Sequence, residues 1–147
     1  MKEATQWIPA AHVDDASACS DSVELTFDQR YRRRIKMTTR QGVEFLLKLP
    51  EAKALRDGDL LVLNDQSAIR VVAADEAVMR VTAQDPHVLM RLAWHIGNRH
   101  LPAELHASYI LLAEDHVIAE MIRGLGGHVE ARQMPFHPEG GAYDHGH

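Results

Sequence analysis

Ten histidines stand in the 147-residue chain, and nine of them fall at or after His87. Histidine is the commonest side-chain metal ligand and titrates close to neutral pH. The skew therefore marks the second half of the chain as the place to look for chemistry. Three clusters could carry it. The densest is Trp94-His95-Ile96-Gly97-Asn98-Arg99-His100-Leu101-Pro102. His95 and His100 lie five positions apart across an expected helix end, so they need not share a face. Spacing alone leaves open whether His100 is a ligand or a loop residue, and whether His95 only counters the negative helix end as a cation. In Glu114-Asp115-His116 the carboxylates suit a helix start, whereas a cationic His116 there is mildly unfavourable. A neutral, metal-bound imidazole at 116 avoids that penalty. In Tyr143-Asp144-His145-Gly146-His147, two imidazoles one glycine apart can chelate an ion, although a terminal His pair is equally a purification remnant. Imidazole-rich, thiol-free sites suit nickel, zinc and copper, and affinity alone ranks copper highest. His12, His87, His106, His128 and His137 read as surface or capping residues.

Other chemistries find little support. No Ser-His-Asp elbow, P-loop, Rossmann glycine pattern or CxxC pair occurs. A hydrolytic metal site needs about three convergent ligands with an open position and a base, and no compact spacing supplies them. Sixteen basic against twenty-one acidic residues give a net charge of −5, the wrong sign for bulk nucleic-acid binding. The run Arg30, Arg32, Arg33, Arg34, Lys36 reads as a charged, solvated strand edge, or as a docking patch for an acidic protein partner. The single Cys19 fits a reducing compartment, and the N-terminus lacks the apolar core of a signal peptide. No apolar run approaches the ~20 residues of a membrane span, so the expectation is a cytoplasmic protein without membrane contact.

These side chains need elements to position them. Val23–Phe27, Arg34–Thr39, Val43–Leu49, Leu60–Leu63 and Ala68–Val72 alternate or run apolar between turn residues, which predicts a small β sandwich or barrel-like domain over residues 1–76. From residue 77 the period changes. A strand at Val78–Thr82 precedes Asp85-Pro86, a cap and first-turn pair. Val88, Leu89, Leu92, Ala93 and Ile96 keep helical spacing, and Gly97 is placed to end that helix. An extended stretch through Leu112, a helix from Glu114 stopped by Gly124, and a strand at Val129–Gln133 complete β-α-β-β-α-β, the ferredoxin-like order, over 77–135. Residues 136–147 hold almost nothing apolar to bury and predict a mobile tail. The fold class is α+β.

In order and spacing, several segments resemble the urease accessory proteins called UreE, a family of nickel metallochaperones. They are Leu25-Thr-Phe-Asp-Gln-Arg30, Leu55-Arg-Asp-Gly-Asp-Leu-Leu61 and Ile69-Arg-Val-Val-Ala-Ala74, then His95-Ile-Gly-Asn-Arg-His100-Leu-Pro102. Asp115-His116-Val117, Gln133-Met-Pro-Phe136 and Pro138-Glu-Gly-Gly-Ala-Tyr143 follow. The resemblance implies no enzyme but a nickel carrier that delivers Ni2+ to apo-urease, working with the urease accessory GTPase. It implies a β-rich partner-binding domain, a ferredoxin-like metal domain, and a homodimer, with linkage of dimers into tetramers through metal left open. It assigns nickel to His100 at the dimer contact and further metal to the tail, here His145 and His147. Where one subgroup reads His-Asp-His this chain has Glu114-Asp115-His116, which leaves His116 a secondary ligand. Zinc and copper are expected to compete in vitro. Two readings of other classes stay open: a nickel or zinc store without handover, and an interaction adaptor whose β domain is the working part.

Overall fold

In the computed structural model, which describes residues 1–13 and 19–140, the alternation along the first strands is an alternation of burial. Val23, Leu25, Met37, Phe45, Leu47 and Leu49 turn inward, while Glu24, Lys36 and Lys48 face solvent. The strands are β1 (Lys2–Ile8), β2 (Asp21–Leu25), β3 (Tyr31–Thr38), β4 (Glu44–Ala54), β5 (Leu60–Leu63) and β6 (Ala68–Ala73). They form one sheet in the order β2-β6-β5-β1-β4-β3, with β1–β4 and β2–β6 parallel. Inward side chains from all six strands make a single cluster. The Arg40 N–H donates to Ser22 O at 2.8 Å, so the β3–β4 turn reaches the strand at the opposite edge. The sheet thus closes over its own core without a helical layer, as a barrel-like domain does.

Three features of this unit depart from the sequence reading. Strand β1, in a segment to which no role was given, sits centrally between β5 and β4. Phe27 leaves the strand: Thr26 caps a short helix α1 (Phe27–Arg30) through a capping box with Gln29. Arg30, read as part of a solvated edge, is buried and donates from Nη1 to Leu55 O at 3.1 Å. Asp57-Gly58-Asp59 leads into β5 through a turn, with Gly58 at φ +89°. Asp59, buried beneath it, accepts from Trp7 Nε1, Ala10 N–H and Arg56 N–H, each at 2.8 Å.

Acid is expected to loosen this unit. Partial burial opposes ionisation of Asp21, yet hydrogen bonds from Thr39, Ser22 N–H and Gln41 N–H, with the Arg40 charge, hold its carboxyl below the ordinary value. Ser67 and Lys2 do the same for Asp65, and Lys36 for Glu44. A depressed carboxylate contributes stability above its unfolded pKa, and that contribution disappears as pH falls through the native value. Melting followed by circular dichroism should give a midpoint that falls progressively below about pH 4. A midpoint that holds down to about pH 2 would contradict this assignment.

The chain divides into the unit just described, Met1–Ala74, and a second, Asp75–His147. In the second unit β7 (Glu76–Thr82), β8 (Ala103–Leu105), β9 (Ile110–Ala113) and β10 (His128–Met134) form an antiparallel sheet in the order β10-β7-β9-β8. Helices α2 (Pro86–Asn98) and α3 (His116–Gly124) complete the βαββαβ order. Asp85 caps α2 by accepting from His87 N–H at 2.8 Å, and Pro86 fills the first turn. Leu92, Ile96, Ala119 and Ile122 pack with Met79, Val81, Ile110 and Leu112 into one core. Gly127 permits this closeness: a Cβ there would stand 2.6 Å from Ile122 Cγ2 and 2.8 Å from Leu92 Cδ1. Neither expected glycine stop ends its helix by its own conformation. Helix α2 runs through Gly97 to Asn98, and the left-handed turn after α3 is made by Gly126, not Gly124.

Candidate metal centre

The end of α2 explains how His100 is presented. The His100 N–H donates to Gly97 O at 3.0 Å and the Leu101 N–H to Ile96 O at 3.3 Å, the paired bonds of a Schellman turn. Helix α3 ends on the same pair: Gly126 N–H to Arg123 O at 3.1 Å and Gly127 N–H to Ile122 O at 2.9 Å. That turn demands a left-handed residue, and α3 supplies glycine at φ +95°. Helix α2 supplies His100 at φ +58°. A side chain in this region costs roughly 1–2 kcal/mol, although histidine tolerates it better than most. Such strain at a non-glycine residue points toward function. The imidazole stands at the helix end, on a residue exposed to solvent.

His100 lines a hollow with Ala93, Gly97, Leu101, Ala103, Leu105 and Glu139. A stripe of α2 leads to it. Met90 and Trp94, one helical turn apart, are 69% and 65% exposed. Gly97 continues the stripe, and a Cβ there would meet nothing within 4 Å. The chain itself gives no reason for a glycine in this last turn, where alanine is better by about 1 kcal/mol.

The other described candidates stand apart from His100. His95 lies in a separate crevice with Val88, Arg91, Leu92 and Leu125, its ring nearly perpendicular to that of Trp94 with the centroids 5.1 Å apart. His116 is the first residue of α3, in a third hollow with Glu114, Glu120 and Arg123. Asp115 is engaged as the cap, accepting from Val117 N–H at 2.9 Å and Ile118 N–H at 3.2 Å. His145 and His147 lie outside the described residues. Among the described residues no three His, Cys, Asp or Glu side chains converge for a metal ion.

One feature near the site was not read from the sequence. Phe136 and Pro138 are buried, which corrects the expectation that the stretch from 136 has almost nothing to bury. Glu104 accepts from His137 N–H at 2.7 Å and meets His106 Nε2 at 2.6 Å, while Glu139 N–H donates to Ala103 O at 2.7 Å. Glu139 and Gly140 are thereby carried to the hollow of His100. The available signal was Phe136 itself, the one aromatic residue between Tyr109 and Tyr143.

No helix among the described residues is long and apolar enough to cross a membrane. Comparison with known families finds the UreE urease accessory protein N-terminal domain over residues 4–74 and the C-terminal domain of the same family over 76–147. The chain is 55% identical over 126 residues to a urease accessory protein UreE from Bradyrhizobium sp. (strain ORS 278), covering 86% of this chain and 60% of that protein. It is 52% identical over 128 residues to one from Rhodopseudomonas palustris (strain HaA2), covering 87% and 60%. With one from Chelativorans sp. (strain BNC1) it shares 48% over 128 residues, covering 86% and 81%. The chain spans about three fifths of the length of the first two of these relatives. The match is to accessory proteins rather than to an enzyme family. Both units, in the same order and with little of the chain unmatched, place it: the chain belongs to the UreE urease accessory protein family.

Proposed function

We propose that this chain takes part in urease maturation as a nickel carrier, holding Ni2+ on His100 and releasing it to apo-urease together with the urease accessory GTPase. The observation that carries the reading is the histidine at the left-handed turn of α2, where α3 has glycine. A second copy of the chain supplies the missing ligand: a twofold axis near His100 pairs two imidazoles around one ion. The exposed Met90 and Trp94 and the open face of Gly97 support a homodimer formed along that stripe. His145 and His147 fill further positions, and Glu139 stands in the same hollow as an oxygen donor. His116 is a weaker, separate site. A shell assembled from two chains and a tail exchanges ligands, as a carrier must, where a closed structural site would keep its metal. Joining of dimers into tetramers through the metal, cytoplasmic location and competition by zinc or copper belong to the same reading.

The dimer gives an early test. Trp94→Glu places a charge on the apolar stripe and is expected to yield a monomer by light scattering with nickel binding weakened. A dimer of unchanged mass would remove the stripe from the interface. The runner-up reading, a nickel or zinc store, shares the ligands but needs no recipient. Deleting the gene and measuring urease activity decides between them. Carriage predicts activity lost at scarce nickel and restored by excess. Normal activity at scarce nickel favours the store.

A further inference from the structure

We propose that the outward face of the β3–β4 hairpin, centred on Arg34 and Lys48, is a docking surface for an acidic protein surface of the urease assembly machinery. The inference rests on the proposed role in urease maturation and names the surface through which that role is carried out.

The register places Arg34 directly opposite Lys48 and Arg32 opposite Lys53. Like charges facing each other across a ladder are destabilising. Strand β3 is a sheet edge, where cations deter pairing with other chains, and that accounts for its own arginines. It does not account for Lys48 and Lys53. They stand on β4, the inner strand of the hairpin, whose other side pairs with β1 over Phe45–Leu47. Three cations of the hairpin are neutralised within the chain: Arg32 by Asp28 at 2.7 Å, Lys36 by Glu44 at 2.6 Å and Lys53 by Glu51 at 2.8 Å. Arg33, Arg34 and Lys48 are exposed and have no ion pair among the described residues. The register shifts between Arg32 and Arg34, where Arg33 alone on β3 faces residues 49–52 of β4. Leu46, half-buried, lies opposite Lys36.

A chain of net charge −5 therefore gathers uncompensated positive charge on one sheet face. Electrostatic complementarity of this kind steers and orients an acidic protein partner. A nucleic acid fits less well. The remainder of the molecule repels a long polyanion, and the only aromatic of β3, Tyr31, is half-buried rather than offered for stacking.

The test uses the full chain with purified apo-urease and its accessory GTPase, measuring Kd at about 50 and about 300 mM salt. Wild type is expected to bind, and to weaken with salt. Arg34→Glu with Lys48→Glu keeps the like-charge spacing but reverses its sign. It should weaken binding at least about tenfold at low salt, with an unchanged melting temperature and nickel stoichiometry. Arg34→Lys with Lys48→Arg should bind as wild type does. Arg34→Glu alone turns a repulsive pair into an attractive one, so its melting temperature should not fall while its binding does. Three results would overturn the proposal: unchanged affinity in the double reversal, no binding of wild type to these proteins, or tighter binding of wild type to a single-stranded oligonucleotide or an anionic vesicle. Docking that depends on these charges while nickel transfer fails would leave the surface standing and sink the carrier reading. Nickel transfer with docking indifferent to the charges would do the reverse.

Discussion

Replacing His100 by glycine is expected to raise the melting temperature of the second unit while removing tight nickel binding. The two effects separate because they have different origins. At φ +58° the histidine backbone occupies a region that glycine enters without steric cost. Relief of that strain contributes about 1 kcal/mol, or roughly 5 °C for a unit of this size. Alanine leaves the strain in place, so His100→Ala should melt at or slightly below wild type. Both variants lose the imidazole. Changing a partner outside the ligand shell weakens a metal site by about 10–100-fold, so loss of a direct ligand should exceed ~100-fold. Calorimetric nickel titration beside thermal melts checks both. Unchanged tight binding in either variant would remove His100 from the site. A lower melting temperature in His100→Gly would remove the claim of strain.

Asp59→Ala should strongly destabilise the first unit. Three N–H donors converge on this buried carboxylate: the Trp7 indole and the Ala10 and Arg56 amides. Truncation leaves all three without their acceptor. Hydrogen bonds to charged groups contribute about 1.5–3 kcal/mol each but do not add fully, so a loss of about 3 kcal/mol or more is expected. That corresponds to at least about 10 °C for a unit of some seventy residues. Asp59→Asn keeps the shape but turns an NH2 toward donors, so it should fall between the two. Denaturant unfolding followed by Trp7 fluorescence reads the effect. A midpoint within error of wild type would show that the convergence does not hold the unit together.

Much of the fold was legible because its signals are local. Asp85-Pro86 specifies a helix start by one side-chain acceptor and one fixed φ, and α2 begins there. The alternation from Phe45 to Leu49 is the inward and outward alternation of β4. What stayed hidden depends on distant parts of the chain. Lys2–Ile8 has few apolar residues, and only pairing with β4 and β5 makes it a central strand. Arg30 looks like one more cation of a basic run until the Leu55 carbonyl is seen to accept its Nη1. The site was legible in part. His100 could be singled out by type and by family resemblance, but spacing does not reveal that it replaces glycine in a helix-ending turn. Nor does it show that Glu104 ties the chain at His137 and carries Glu139 beside it.

The central claim is handover of nickel held on His100, and apo-urease activation tests it most directly. Purified apo-urease is incubated with the nickel-loaded chain in the presence of a chelator strong enough to hold free nickel. Urease activity is then measured against the same amount of nickel added as a salt. The account predicts activation by the loaded wild-type chain, little by the salt, and none above the salt by His100→Gly carried through the same loading. Equal activation by the salt and the loaded chain, or full activation by His100→Gly, would contradict it.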